Sequence, residues 1–190
     1  MHLVHFSLDR TYTVLSSALY PDGVANVDRI VLALVNEDYD SLTPLEDVMS
    51  VCDCSRSLVF MTAARKYCMR DFGGDFLLFM SAGIGRSGEH AGGRTVNIAV
   101  MLRMRARLNA MVDMVRTVTE AKCSYLMRFG LTGTASDATA VGVSEGREET
   151  FLGAFHRGGH GGRACGHRTA RRTALARTLW TEEPMRVTQD

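Results

Sequence analysis

The stretch from Gly130 to Val143, GLTGTASDATAVGV, sets Thr132, Thr134 and Ser136 around one carboxylate, Asp137. Hydroxyls and a carboxylate at this spacing can do one of two things. They can satisfy their own backbone through local side-chain hydrogen bonds. Alternatively Asp137, held by hydroxyls, faces a pocket and acts as acid, base or orienting group. The order here is helix, glycine-bearing loop, strand. Phosphate-binding loops run strand, loop, helix and use the helix amino terminus for the anion, so a nucleotide loop is excluded.

A second chemical group lies upstream. Leu108, Met111, Val112, Val115, Val118, Lys122 and Leu126 recur at spacings of three and four. That spacing predicts one face of a helix within Arg107–Phe129, closed by Gly130. A lysine in such a stripe must snorkel, pair with a carboxylate or lose its charge. The cysteines offer less. Cys52 and Cys54 would need two more ligands for zinc, and His156, His160, Cys165 and His167 stand at loose spacing, so no metal is assigned. Cys68 and Cys123 have the basic neighbours Lys66 and Lys122, which leaves a thiol nucleophile open.

These groups need a scaffold. Residues 11–19 (TYTVLSSAL) predict a strand that stops at the turn Pro21-Asp22-Gly23, and Arg29–Val35 predicts another. Thr43-Pro44-Leu45-Glu46 combines a capping residue, a proline and an acid, predicting a short helix to about Cys52. Ser57–Ala64 and Asp75–Ala82 are continuous apolar runs, the pattern of strands covered on both faces. Gly83–Gly93 reads as a mobile or functional loop. Thr95–Met101 alternates, with Val96, Ile98 and Val100 on one side and Thr95, Asn97 and Ala99 on the other. The fold class is α/β: a single domain, mainly a buried sheet flanked by helices, its strand order not legible.

Composition limits the rest. With 190 residues, 46% of them hydrophobic, the chain can bury one sizeable core. No apolar run reaches the ~20 residues of a membrane-spanning helix, and MHLVHFSLDR lacks the pattern of a secretory leader, so a cytoplasmic protein is expected. Five scattered cysteines fit reduced thiols better than a disulfide framework. The net charge of +1 exerts no global pull on nucleic acid. It conceals a segment, Phe151–Thr181, with Arg157, Arg163, Arg168, Arg171, Arg172 and Arg177 and no acid. This is a solvated basic helix, a frayed tail, or a phosphate-binding surface, the last disfavoured by the scarcity of aromatic stacking partners.

Seven segments then carry a resemblance: Val14-Leu15-Ser16-Ser17-Ala18, Asp38-Tyr39-Asp40, Met61-Thr62-Ala63-Ala64, Ser81-Ala82-Gly83, Val96-Asn97-Ile98, Thr119-Glu120-Ala121-Lys122 and Thr132–Ala138. In identity and order they resemble the adenosylcobinamide amidohydrolase family, the CbiZ type, over about residues 11–143. The resemblance implies an amidohydrolase domain at 1–150 and a divergent Gly/Arg-rich C-terminal segment at 151–190, expected to be partly disordered. It implies corrinoid salvage in the cytoplasm: hydrolysis of the amide joining aminopropanol to the corrin ring of adenosylcobinamide, giving adenosylcobyric acid. The partner is then a small-molecule corrinoid, with no membrane partner, and no cofactor is established.

Amide hydrolysis needs a nucleophile, donors for the oxyanion and an acid for the leaving amine. Asp137 is assigned as base or water-orienting carboxylate, Lys122 as oxyanion donor or corrin anchor, and Glu120 as a further catalytic candidate. Asn97 and Ser81 are amide-binding candidates, Thr132, Thr134 and Ser136 substrate-binding hydroxyls, and His156 a candidate acid for the leaving amine. The family usually has threonine where Ser136 stands, an asparagine near Arg86-Ser87, and threonines and a lysine where this chain has Gly153–Gly159. The last difference motivates an alternative, a corrinoid-binding relative without catalysis. A third reading is nucleic-acid binding through the arginine-rich segment.

Overall fold

The computed structural model describes residues 1–83, 95–131, 133, 136–144 and 148–149. The expectations for residues 84–94 and for the C-terminal segment 151–190 lie outside the described residues.

The described elements are β1 (His2–Ser16), β2 (Gly23–Leu34), α1 (Pro44–Met49), β3 (Ser57–Thr62), β4 (Lys66–Asp71), β5 (Phe76–Ala82), β6 (Val96–Leu102), β7 (Arg105–Ala106), α2 (Leu108–Leu126), a 3-10 turn (Met127–Phe129), β8 (Ala138–Val143) and β9 (Glu148–Glu149). Seven strands form one mixed sheet in the order β3-β2-β1-β8-β6-β5-β4, and β7 pairs with β9. This is the α/β class, a single sheet flanked by helices.

That sheet is not flat. β3 and β4 are its opposite edges, yet only residues 63–65 join them. Six inter-strand spacings of ~4.8 Å would put the edges of a flat sheet roughly 29 Å apart. Four Cα steps span at most about 15 Å. The sheet therefore folds back on itself, and the register of β1 with β2 shifts between Ser7 and Tyr12, where the long strand turns over. Its two inner faces meet: Phe60 of β3 stacks on Phe79 of β5 at 5.4 Å, and Phe6 of β1 meets the same ring at 5.2 Å. Tyr12, Val14, Ile30, Leu32, Leu58, Leu77 and Met101 complete this interior.

Helices cover the outer faces. α2 lies on Phe76, Leu78, Val96, Ile98, Val100 and Val141, and α1 brings Val48 onto Val31, Ala33 and Val59. The layers thus run helix, sheet, sheet, helix. Coverage on both sides explains why β5 and β6 are buried at every position, and the alternation expected in β6 separates its two buried faces.

Several boundaries differ from expectation. β1 begins at His2, not Thr11, because Val4, Phe6 and Leu8 alternate into the interior between polar residues. β2 starts at Gly23, ahead of Arg29. β4 was not foreseen, since Tyr67 and Met69 lie between charged ends. α1 ends at Met49, short of Cys52, and the Thr43 side chain makes no capping hydrogen bond. In α2 the expected stripe is corrected: Leu108 and Val112 are each 55% exposed. The helix instead turns Ala110, Met111, Met114, Val118, Lys122 and Leu126 inward. Gly130 closes the helix at φ +71°, in the left-handed region.

The thiol expectation is also corrected at one pair. Cys52 and Cys54 are joined in a disulfide, their Cα atoms 5.4 Å apart. Cys68 and Cys123 take no part in that disulfide. Among the described residues no helix is long and apolar enough to cross a membrane.

Candidate functional site

β6, α2 and β8 form a strand-helix-strand unit whose two strands are parallel neighbours. The crossover helix returns alongside the sheet, so its carboxyl end arrives where β8 begins. This places Lys122, on the inward face of α2, beside Asp137, the residue before β8. The Nζ of Lys122 donates to Asp137 Oδ2 at 2.8 Å, with 8% and 6% of the two side chains exposed. Asp137 Oδ1 accepts the backbone N–H of Val96 at 2.7 Å. Two charges withdrawn from water need such geometry, since desolvation costs several kcal/mol per ion. Of the three fates open to a lysine in an apolar stripe, pairing is the one observed.

The same end of the sheet gathers other polar groups. Thr95 Oγ1 and Ser136 Oγ are 2.6 Å apart, and Gly83 N–H donates to the Thr95 carbonyl at 3.0 Å. Asn97 Nδ2 donates to Ser81 Oγ at 3.1 Å, and its Oδ1 accepts Ala138 N–H at 3.3 Å. Ser17 N–H donates to the Thr139 carbonyl at 3.0 Å, and Thr139 N–H donates to Ser17 Oγ at 3.1 Å. The fold-back of the sheet adds the end of β3. Val35 N–H donates to the Thr62 carbonyl at 3.0 Å, Arg65 donates to the Val35 carbonyl at 3.1 Å, and Lys66 pairs with Ala82. Segments scattered from residue 16 to residue 139 therefore converge on one end of the molecule.

The individual site residues divide as follows. Lys122 and Asp137 meet. Ser136 lies next to them, exposed but bonded to Thr95. Asn97 and Ser81 are buried and bonded to each other. Strand alternation turns them inward with Ala99, Phe79 and Ala138, across the sheet from Lys122. Glu120 is exposed and points away from the pair, as its two-residue offset from Lys122 requires. Thr132, Thr134 and His156 lie outside the described residues. So do His160, Cys165 and His167, the further zinc candidates. Among the described residues no group of three or more potential metal ligands occurs.

Sequence reasoning passed over Thr95, Val96 N–H and Gly133. The Gly133 backbone, at φ +135°, comes so close that a Cβ there would lie 2.8 Å from Asp137 Oδ2 and 3.9 Å from Lys122 Nζ. Its position inside the hydroxyl-rich stretch was the available signal. For Thr95 there was none beyond its place at the head of a strand.

Chemically, the arrangement is a carboxylate clamped between an ammonium and a backbone amide at a strand end that also carries the hydrogen-bonded hydroxyls of Thr95 and Ser136. It lies at the amino ends of the parallel pair, not in the carboxyl-end crevice of doubly wound sheets. No curated protein and no solved structure matches the chain. The family model described as adenosylcobinamide amidohydrolase (CbiZ) matches residues 1–181, extending on both sides of the stretch that carries the resemblance. With nearly the whole chain inside that match, the protein belongs to the adenosylcobinamide amidohydrolase family.

Proposed function

We propose that this protein hydrolyses the amide linking aminopropanol to the corrin ring of adenosylcobinamide, releasing adenosylcobyric acid and aminopropanol, in cytoplasmic corrinoid salvage. The family match over residues 1–181 carries the reading. The placement of Lys122, Asp137, Thr95 and Ser136 at one end of the sheet supports it.

In this reading Asp137 is the general base. It orients a water and takes one proton as the water oxygen bonds to the amide carbon. Lys122 holds Asp137 through one of its three donors, and a second donor meets the oxyanion. The C–N bond then breaks, and the proton held by Asp137 passes to the departing nitrogen, so that one water is consumed per amide. Asn97 and Ser81 keep the ends of β5, β6 and β8 in register beneath these groups.

The test is incubation of the full chain with adenosylcobinamide, with and without a chelator, followed by identification of products by mass spectrometry. A corrinoid carrying a new carboxylate, together with free aminopropanol, is the expected result. Tight corrinoid binding with no product would instead identify a non-catalytic binding relative. Absence of both would end the reading.

A further inference from the structure

We propose that Thr95 is a positioning residue of the hydrolytic site, acting through Ser136 and Asp137. The inference rests on the amidohydrolase reading for its kinetic consequence, but its geometry stands on its own. Thr95 is fully buried at the head of β6, and three strands' ends depend on it. Its carbonyl accepts Gly83 N–H at 3.0 Å, fixing the exit of β5. Its hydroxyl lies 2.6 Å from that of Ser136. The next backbone amide, that of Val96, donates to Asp137 Oδ1 at 2.7 Å.

Residues 95 and 96 therefore grip residues 136 and 137 at two consecutive points, one through a side chain and one through the main chain. Lys122 and Val96 hold the carboxylate itself, at Oδ2 and Oδ1. The Thr95 hydroxyl adds a hold on the residue immediately before it. Since Ser136 is exposed while Thr95 is not, the buried partner is the fixed one and aims the other. Misplacement of a catalytic group by about 1 Å can cost roughly 100-fold in rate.

Thr95→Val keeps the shape and removes the hydroxyl; Thr95→Ser keeps the hydroxyl. The expected result is a fall in kcat of about 10- to 100-fold for Thr95→Val with KM within about twofold, and near-complete recovery in Thr95→Ser. Ser136→Ala removes the same bond from its exposed side and covers the case in which Thr95→Val does not fold. Its kcat should fall comparably, and where both fold, the Thr95→Val/Ser136→Ala pair should be no worse than either alone. Unchanged kcat in Thr95→Val, equal damage in Thr95→Val and Thr95→Ser, or strict additivity in the double variant would each overturn the proposal, as would unchanged kcat in Ser136→Ala. If the parent protein turns over no adenosylcobinamide, the functional reading fails separately. The positioning is then read from the carboxyl carbon resonance of Asp137, which should shift in Thr95→Val or Ser136→Ala and return in Thr95→Ser; no shift overturns it.

Discussion

Lys122 Nζ stands 2.8 Å from Asp137 Oδ2, with less than a tenth of either side chain exposed, so the charge of a helix is neutralised by a charge at the start of a strand. Removing one partner strands the other in a poorly hydrated site. Lys122→Met alone is expected to cost about 3–5 kcal/mol, whereas Lys122→Met with Asp137→Leu recovers most of that loss. Urea unfolding of the two variants measures the difference, and equal costs would show that the pair is not desolvated in solution.

For the chemistry, Asp137→Asn keeps the shape and removes the base. The variant also removes the charge that pairs with Lys122 and so loses stability, but in protein still folded by circular dichroism turnover of adenosylcobinamide is expected to fall about 100-fold or more. Unchanged turnover would take Asp137 out of the reaction.

Gly133 offers a backbone test of the same site. Alanine there is strained at φ +135° and pushes its Cβ against Asp137 Oδ2. Gly133→Ala should lose roughly 1–3 kcal/mol and most of the activity. Gly74→Ala, where a Cβ meets nothing within 4 Å, serves as a control that leaves the melting temperature nearly unchanged.

At the other end of β6, Arg103 donates to Asp71 at 2.7 and 2.8 Å and to Asp9 at 3.0 Å. Burial alone would raise the Asp9 carboxyl, but hydrogen bonds from Tyr12, Arg103 and Arg10 outweigh it and hold it below its ordinary 3.8. The folded chain thus binds this proton less readily than the unfolded chain. Its contribution to stability is present above pH 3.8 and disappears as the pH falls through the lowered folded value. In Arg103→Met the deficit relative to the parent should be widest near neutrality and narrow below about pH 4. Parallel unfolding curves at all pH values would contradict this.

The Cys52–Cys54 disulfide closes a loop with one residue between its ends. Loop entropy for so short a closure is worth only roughly 1.5 kcal/mol. Reduction should therefore lower the melting temperature by a few degrees and leave unfolding cooperative, as calorimetry with and without a phosphine reductant would record.

Much of the scaffold was legible locally. The three- and four-residue spacing in α2 survives because one face of the helix meets the sheet, and β3 and β5 read as continuous apolar runs because both their faces are covered; β6 reads as alternating although it too is buried at every position. The first half of β1 and all of β4 are not legible as strands, since the apolar residues that enter the interior, Val4, Phe6 and Leu8 in β1 and Tyr67 and Met69 in β4, are interspersed with charged and polar ones. Leu108 and Val112 share the period of the α2 stripe yet face solvent, because periodicity identifies an apolar arc but not which part of it touches the sheet.

The amino-acid sequence by itself determined the α/β class, the long amphipathic helix with its odd lysine, the carboxylate in a hydroxyl-rich stretch and, through family motifs, the membership. Only the tertiary structure decided that the sheet doubles over, that Lys122 is paired rather than snorkelling, and that Asn97 and Ser81 bond each other across the sheet from it. The reason is that local patterns record which side of an element is apolar, whereas contacts between distant segments depend on strand order and crossover geometry. Neither is written in any single stretch of the chain.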